Sequence, residues 1–230
     1  MDEDHPEVTG RQLSLLDLAY LGQISQVPVL RRLVPNLRYA LERELEGCRI
    51  ILDLGCGPRP AARLIFPRAT LVGVDAFRPN LLEATKARMV DHALLADVSR
   101  PPFKDDRFDA VLALDVIEHI PKEAGFRLIA SMRSLARKRV VLLTPNGYVP
   151  QESSNPLNRH VSGWTVSELR SLGFLVYGIG GWKPLRVEFA RCAGPFPRVM
   201  AVASAMTQGT IFKRPENAYH LLAVARINAS

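Results

Sequence analysis

Cysteine is scarce in this chain of 230 residues, and its placement rules out a cross-linked scaffold. The 3 cysteines, Cys48, Cys56 and Cys192, form no C-x-x-C pair and their count is odd. Neither a disulfide framework nor a zinc site is expected from them. Long apolar runs are missing too: none approaches the roughly 20 residues of a membrane-spanning helix. The opening Met1-Asp2-Glu3-Asp4 is acidic where a secretory leader is basic. The expected location is the cytoplasm. Long basic runs are also absent. Net charge is +7 but scattered, with short clusters at Arg31-Arg32 and Arg137-Lys138-Arg139. A nucleic-acid partner therefore stays open without being favoured. There are no internal repeats and no low-complexity tracts, and nothing marks an oligomeric state.

What remains is an ordinary globular mixture, 47% apolar and 23% charged, enough for one well-buried domain. Residues 1–46 read as a helical lead and 47–230 as a single domain. Within the lead, 1–10 carry no structural signal and 13–21 are a short apolar, helical stretch. Val29, Leu30, Leu33, Leu37, Ala40, Leu41 and Leu45 then recur at helical spacing, interrupted by Pro35.

From residue 49 the texture changes. Apolar runs at 49–54, 69–75, 92–97, 108–115 and 139–144 alternate with helical segments, clearest at 79–89 and 121–135. This alternation predicts βαβ units and a parallel sheet buried on both faces. Four of the five runs end at or beside Asp, and open α/β sheets bind ligands at the carboxyl ends of their strands. Further on, Thr165-Val166-Ser167-Glu168 is a capping-box pattern that should start a helix ended by Gly173. Two more strand-like runs cover 174–179 and 219–227. Between them Phe196, Val199, Met200, Ala203 and Met206 share a helical face. That face suits a core or interface helix, with contact to a lipid-linked acceptor as the alternative.

The first strand runs into Asp53-Leu54-Gly55-Cys56-Gly57. Glycines there let the backbone turn sharply and approach a ligand closely. Asp75 closes the second strand, where a carboxylate can accept both ribose hydroxyls of a nucleoside. Asp97 closes the third and can accept from an adenine amine. A dinucleotide site prefers a third glycine and a pyrophosphate on the helix N-terminus. Here Pro60 stands in the third place, and the Asp53 carboxylate repels an anion. An ammonium and a sulfonium are not repelled, so the charge pattern favours a sulfonium nucleoside over NAD.

As a set, Leu52-Asp53-Leu54-Gly55-Cys56-Gly57, Val72-Gly73-Val74-Asp75, Leu95-Ala96-Asp97 and Phe108-Asp109-Ala110-Val111 resemble the motifs of class I S-adenosylmethionine-dependent methyltransferases. Asp115-Val116-Ile117-Glu118-His119-Ile120 and Leu143-Thr144-Pro145-Asn146 resemble the family's fourth-strand and fifth-strand ends. The resemblance covers about residues 49–147. It implies a Rossmann-like, doubly wound α/β sheet of seven strands, mostly parallel with an antiparallel last strand and helices on both faces. It also implies S-adenosylmethionine as cofactor. Asp53 and the Gly55, Cys56 and Gly57 turn would surround its methionine part, Asp75 the ribose, and Phe77, Asp97 and Val98 the adenine. Asp115 belongs to the same cofactor set and also borders the acceptor. Arg59, between two prolines, stands near where many members have a third glycine.

The acceptor side is expected around Glu118, His119 and His160, taken as the catalytic candidates. Glu118 and His119 read as polar loop residues, with His119 as a general base for a hydroxyl acceptor, or with Asp115 as ligands of a divalent cation; His160 reads as a base, a metal ligand or an acceptor contact. A similar carboxylate-x-x-Glu-His segment occurs in ubiquinone-biosynthesis O-methyltransferases and small-RNA terminal ribose methyltransferases, where it is associated with magnesium. Here its first member is the shorter Asp, and no metal is assigned. His160 lies on a polar loop with Asn155, Asn158 and Ser162. Trp164 is expected to pack ahead of the Thr165 cap rather than stack on an acceptor.

The leading expectation is O-methylation of a small-molecule metabolite. An RNA ribose methyltransferase and a non-catalytic S-adenosylmethionine-binding protein are the alternatives. In thermal-shift measurements S-adenosylmethionine should raise Tm by mass action and NAD should not. The reverse pattern would restore the dehydrogenase reading.

Overall fold

The computed structural model describes residues 34–151, 153, 155–186 and 197–227. The expected segment 13–21, the run residues Val29, Leu30 and Leu33, and Cys192 and Phe196 lie outside the described residues. Seven strands occur: β1 (Ile50–Leu54), β2 (Thr70–Asp75), β3 (His92–Leu95), β4 (Phe108–Leu114), β5 (Ala136–Pro145), β6 (Leu175–Trp182) and β7 (Ala218–Arg226). Six α-helices are described: α1 (Leu37–Glu44), α2 (Ala61–Ile65), α3 (Arg78–Lys86), α4 (Lys122–Leu135), α5 (Val166–Ser171) and α6 (Pro197–Lys213).

The strands form one sheet in the order β3-β2-β1-β4-β5-β7-β6. β1 pairs in parallel with β2 and β4, and β3 and β5 extend the parallel set. β7 is antiparallel to both β5 and β6. The expected Rossmann-like α/β sheet with an antiparallel last strand is what the chain adopts.

Both faces are covered, which explains the near-continuous apolar strands. One core layer joins Leu52, Val111, Leu142 and Ala223 to Leu128, Met132 and Trp164. The other joins Ile51, Leu112, Val141 and Leu222 to Leu37, Leu41, Ala62 and Ala84. Residues 37–45 of the expected lead therefore pack directly on the sheet.

Element ends follow local chemistry. Asn36, right after Pro35, caps α1 by accepting from Tyr39 N at 2.9 Å. Thr165 and Glu168 form the expected capping box at α5. α3 stops at Lys86, short of the expected 89, because Arg88 turns left-handed at φ +54°. β5 starts at Ala136, immediately after α4, and the Arg137–Lys138 segment is absorbed by an irregularity against β4.

α6 departs from the expected apolar docking face. Met206 is 79% exposed, whereas Ser204 and Gln208 are buried against β6. Gln208 accepts from Gly181 N and donates to Gly178 O, both at 2.9 Å. The reason is in the strand: Gly180 and Gly181 have φ of +83° and +75° and break the β6–β7 register. The freed backbone groups need polar partners. The Val199 side chain lies outside the described residues.

Two buried carboxylates fasten the amino-end side of the sheet. Asp109 accepts from Arg49 N at 2.8 Å and Ile50 N at 3.2 Å and pairs with Lys138. Glu44, 2% exposed, meets Arg43, Tyr177 and Arg226. Burial alone would raise both carboxyl pKa values. These hydrogen bonds and cations outweigh it and hold both below their ordinary values of 3.8 and 4.5. Burial and the bond to Glu44 push the Tyr177 hydroxyl up to about 12.

A carboxylate with a depressed folded pKa stabilises above its unfolded value and loses that contribution as pH falls through the folded one. Stability should therefore be flat in this respect from neutral pH to about 5 and decline below about 4. Glu44→Ala should cost about 1–2 kcal/mol in urea denaturation, because it removes the hydrogen bonds that Arg43 and Tyr177 make to a buried carboxylate. A loss under about 0.5 kcal/mol, typical of an exposed pair, would contradict this role.

Candidate active site

The site grows from the turn after β1. Gly55 and Gly57 adopt φ of +70° and +63°. Gly55 N and Cys56 N both donate to Val74 O, at 2.7 and 3.0 Å, tying the turn to the end of β2. A Cβ on Gly55 would lie 2.5 Å from Val116 Cγ2. Cys56 is buried beneath the turn. Asp53, 2% exposed, stands just before it, in register with Gly73 and Leu112.

Asp75 joins this turn to the next. Its carboxylate accepts from Gly57 N at 2.9 Å, Phe77 N at 2.8 Å and Asn80 Nδ2 at 3.2 Å. The carboxylate plane is thus set by three donors: Gly57 of the first turn, Phe77 just before α3 and Asn80 within α3. Asp97 is exposed beyond β3, where its Oδ1 accepts from Ser99 N and Oγ, both at 2.8 Å. Val98 is buried in the core, and Phe77 is 39% exposed. The structure therefore brings Asp53, Gly55, Cys56, Gly57 and Asp75 together and sets Phe77, Asp97 and Val98 along the adjoining strand ends.

Beyond β4, Asp115 turns left-handed at φ +54° while its N–H donates to Leu143 O at 2.9 Å. A 3₁₀ turn, Ile117–His119, follows. Glu118 is 2% exposed, and its carbonyl accepts from Val161 N and Ser162 N at 2.9 and 3.1 Å. Ser162 Oγ donates to Ile117 O at 3.0 Å. The loop after β5 is thereby clamped over the end of β4, and it carries His160 onto His119. Their rings lie 4.9 Å apart at 62°.

Each imidazole has its Nδ1 on a backbone carbonyl: His119 on Arg159 O at 3.0 Å, His160 on Val149 O at 2.6 Å. A carbonyl only accepts, so Nδ1 carries the hydrogen in both rings, and in a neutral ring Nε2 holds the lone pair. Burial pushes the His160 pKa below 6.5, against the Val149 bond and the Asp115 charge. Ligand atoms of Glu118, His119 and His160 all lie within 4.8 Å of one another. A buried carboxylate and two carbonyl-oriented imidazoles fit a divalent cation, and they equally fit proton transfer. Of the residues that the sequence offered as ligands, Glu118, His119 and His160 come together, and Asp115 is outside this triad.

Trp164 is fully buried, edge-on to Phe126 at 5.3 Å, with Lys122 Nζ 3.8 Å from its ring centre. It packs the loop base, as expected, and offers no face to an acceptor.

A family model described as a methyltransferase domain matches residues 52–149. A ubiquinone biosynthesis O-methyltransferase of Methylocella silvestris is 29% identical over 215 residues, 88% of this chain and 74% of that protein. A probable tRNA methyltransferase of Homo sapiens, 9B, is 30% identical over 113 residues, 49% of this chain and 23% of that protein. Among solved structures, an S-adenosylmethionine-dependent methyltransferase from Archaeoglobus fulgidus superposes with a TM-score of 0.55 at 17% identity, covering 91% of this chain and 98% of that one. Residues 52–149 match a methyltransferase domain, and the findings together support a class I S-adenosylmethionine-dependent methyltransferase.

Two contributors to this methyltransferase's site went unread in the sequence. His220 of β7 lies 3.7 Å from Asp115 Oδ1 through its Nε2. Its signal was a histidine near the start of the apolar run 219–227, at the end that an antiparallel strand delivers to the site. Lys122 at the start of α4 donates to Gly163 O and pairs with Glu168 at 2.8 Å, holding the loop base. No helix among the described residues is long and apolar enough to cross a membrane.

Gly55→Ala should lose roughly 2 kcal/mol, because left-handed backbone and the Val116 collision act together. Gly147→Ala is the control. Its φ is +77°, but the added Cβ meets only Lys183 Nζ at 3.7 Å. Equal losses in urea denaturation would show that the Val116 contact contributes nothing.

Proposed function

We propose that the enzyme methylates a hydroxyl oxygen of a small-molecule metabolite. The observation that carries this reading is the pair of imidazoles, both oriented by Nδ1 on backbone carbonyls and clustered with Glu118 at the carboxyl end of the sheet. The relative named as an O-methyltransferase supports the same acceptor atom.

In this reading Asp53, Gly55, Cys56 and Gly57 surround the methionine part of the cofactor. Asp75 takes the ribose, Phe77, Asp97 and Val98 flank the adenine, and Asp115 borders the amino-acid head. Transfer is an in-line displacement: the acceptor oxygen attacks the methyl carbon, and the carbon–sulfur bond breaks with its electrons going to sulfur. The protein's task is to hold the two atoms in line and exclude water. The hydroxyl proton passes to an imidazole Nε2, and His160, kept neutral by burial, is the base. His119 and Glu118 hold the acceptor beside it. If Glu118, His119 and His160 instead held a divalent cation, it would supply Lewis-acid polarisation of the hydroxyl, and His160 would then be its ligand and not the base.

The test is labelled methyl transfer into size-filtered cell extract and into an RNA fraction, with and without chelator. Label should enter the small-molecule fraction. His160→Ala and Glu118→Ala should each lower kcat by about 10²–10³, within the usual range for losing an acid–base group. S-adenosylhomocysteine affinity, read by calorimetry, should stay within about threefold. Label only in RNA, with binding that weakens steeply with salt, would replace this reading by the RNA one. Undiminished turnover in both variants would remove the acceptor-site assignment.

A further inference from the structure

Asp115 carries an unsatisfied oxygen at this end of the sheet. Its Oδ1 is buried and makes no hydrogen bond. A carboxylate oxygen taken out of water without a donor is unfavourable, and the backbone does nothing to relieve it. Asp115 is one of three described non-glycine residues with positive φ, and the strained turn is pinned by its N–H on Leu143 O. Strain of this kind persists where the surroundings over-determine it, and it gathers at ligand sites.

What faces the orphaned oxygen is His220. The imidazole comes from the first turn-proximal residues of β7, in register with Pro145 of β5. It reaches across the sheet end to place Nε2 3.7 Å from Oδ1, with the His220 side chain 17% and the Asp115 side chain 31% exposed. That separation is too long for a hydrogen bond, which runs about 2.7–3.2 Å for nitrogen and oxygen. It is short enough for the imidazole to confine the carboxylate. His160 faces the same carboxylate electrostatically from the clamped loop. On the other side the next residue, Val116, abuts Gly55 of the cofactor turn.

We propose that Asp115 and His220 form a two-point subsite for an N–H or O–H donor of a bound ligand. Asp115 Oδ1 accepts the donor, and His220 is the positioning residue that holds the carboxylate in its receiving orientation. Two ligands can bring such a donor here: the cofactor through its ammonium group, or the acceptor through a hydroxyl. The second source rests on the small-molecule hydroxyl reading above. The first needs only the cofactor.

Three variants test it: His220→Leu, His220→Gln and Asp115→Asn. Binding of S-adenosylhomocysteine is read by calorimetry, and turnover by labelled methyl transfer across a dilution series of size-filtered extract. If the ammonium is the donor, S-adenosylhomocysteine Kd should rise about tenfold in His220→Leu and Asp115→Asn. If the acceptor is the donor, that Kd stays put and the apparent KM for extract rises instead. In either case kcat should fall less than KM rises. His220→Gln, which keeps a side-chain N–H, should recover to within about threefold of wild type. Tm should remain near wild type throughout.

Equal losses in His220→Leu and His220→Gln accompanied by a matching drop in Tm would assign His220 a purely structural role and overturn the proposal. Wild-type Kd in all three variants, with apparent KM unchanged or with no turnover to measure, would overturn it as well. Absence of turnover together with a raised S-adenosylhomocysteine Kd would sink the small-molecule reading and leave this subsite standing.

Discussion

Burial of the central strands on both faces is the constraint from which the site follows. β1, β4 and β5 lie between two helical layers, so a polar side chain in mid-strand has no water to reach. Polar groups are driven to the strand ends, and each end handles them differently. At the amino ends Asp109 is consumed by backbone N–H groups and Lys138. At the carboxyl ends Asp75 gathers two turns, while Asp115 Oδ1 and Thr144 Oγ1 are buried without hydrogen bonds. The carboxylates at the amino ends are satisfied by the protein, whereas oxygens without hydrogen bonds lie at the carboxyl ends.

A second layer of the design is the loop after β5. It is a long connection, and long connections without regular structure need fastening. Three devices supply it: Val161 and Ser162 N–H on Glu118 O, Ser162 Oγ on Ile117 O, and Trp164 sealed under Lys122. Gly125 makes room for that indole, since a Cβ there would lie 2.5 Å from Trp164 Cζ2. The helix start at α4 thereby sets the position of His160, some forty residues downstream in sequence, and with it the spacing of the two imidazoles.

Much of this architecture was readable beforehand. Alternating apolar runs and helical segments gave the sheet, because double-sided burial leaves a plain signature. The glycine turn, Asp75 and the 165–168 cap were legible because each rests on a local rule: φ sign, strand end, capping geometry. The misjudged pieces are nonlocal. The face that α6 presents could not be read from its own periodicity, since Ser204 and Gln208 answer backbone groups freed by Gly180 and Gly181 of another element.

The sequence by itself determined the class of sheet, the nucleoside-type turn and the order of strand-end carboxylates, because backbone preference and burial act over a few residues. Only the tertiary structure decided which side chains meet: His119 with His160, Asp115 with His220, Glu44 with Tyr177 and two arginines. Those pairings depend on strand order, on the reversed direction of β7 and on where a clamped loop comes to rest. Such distances are set by the packing of the whole chain, and no spacing along it encodes them.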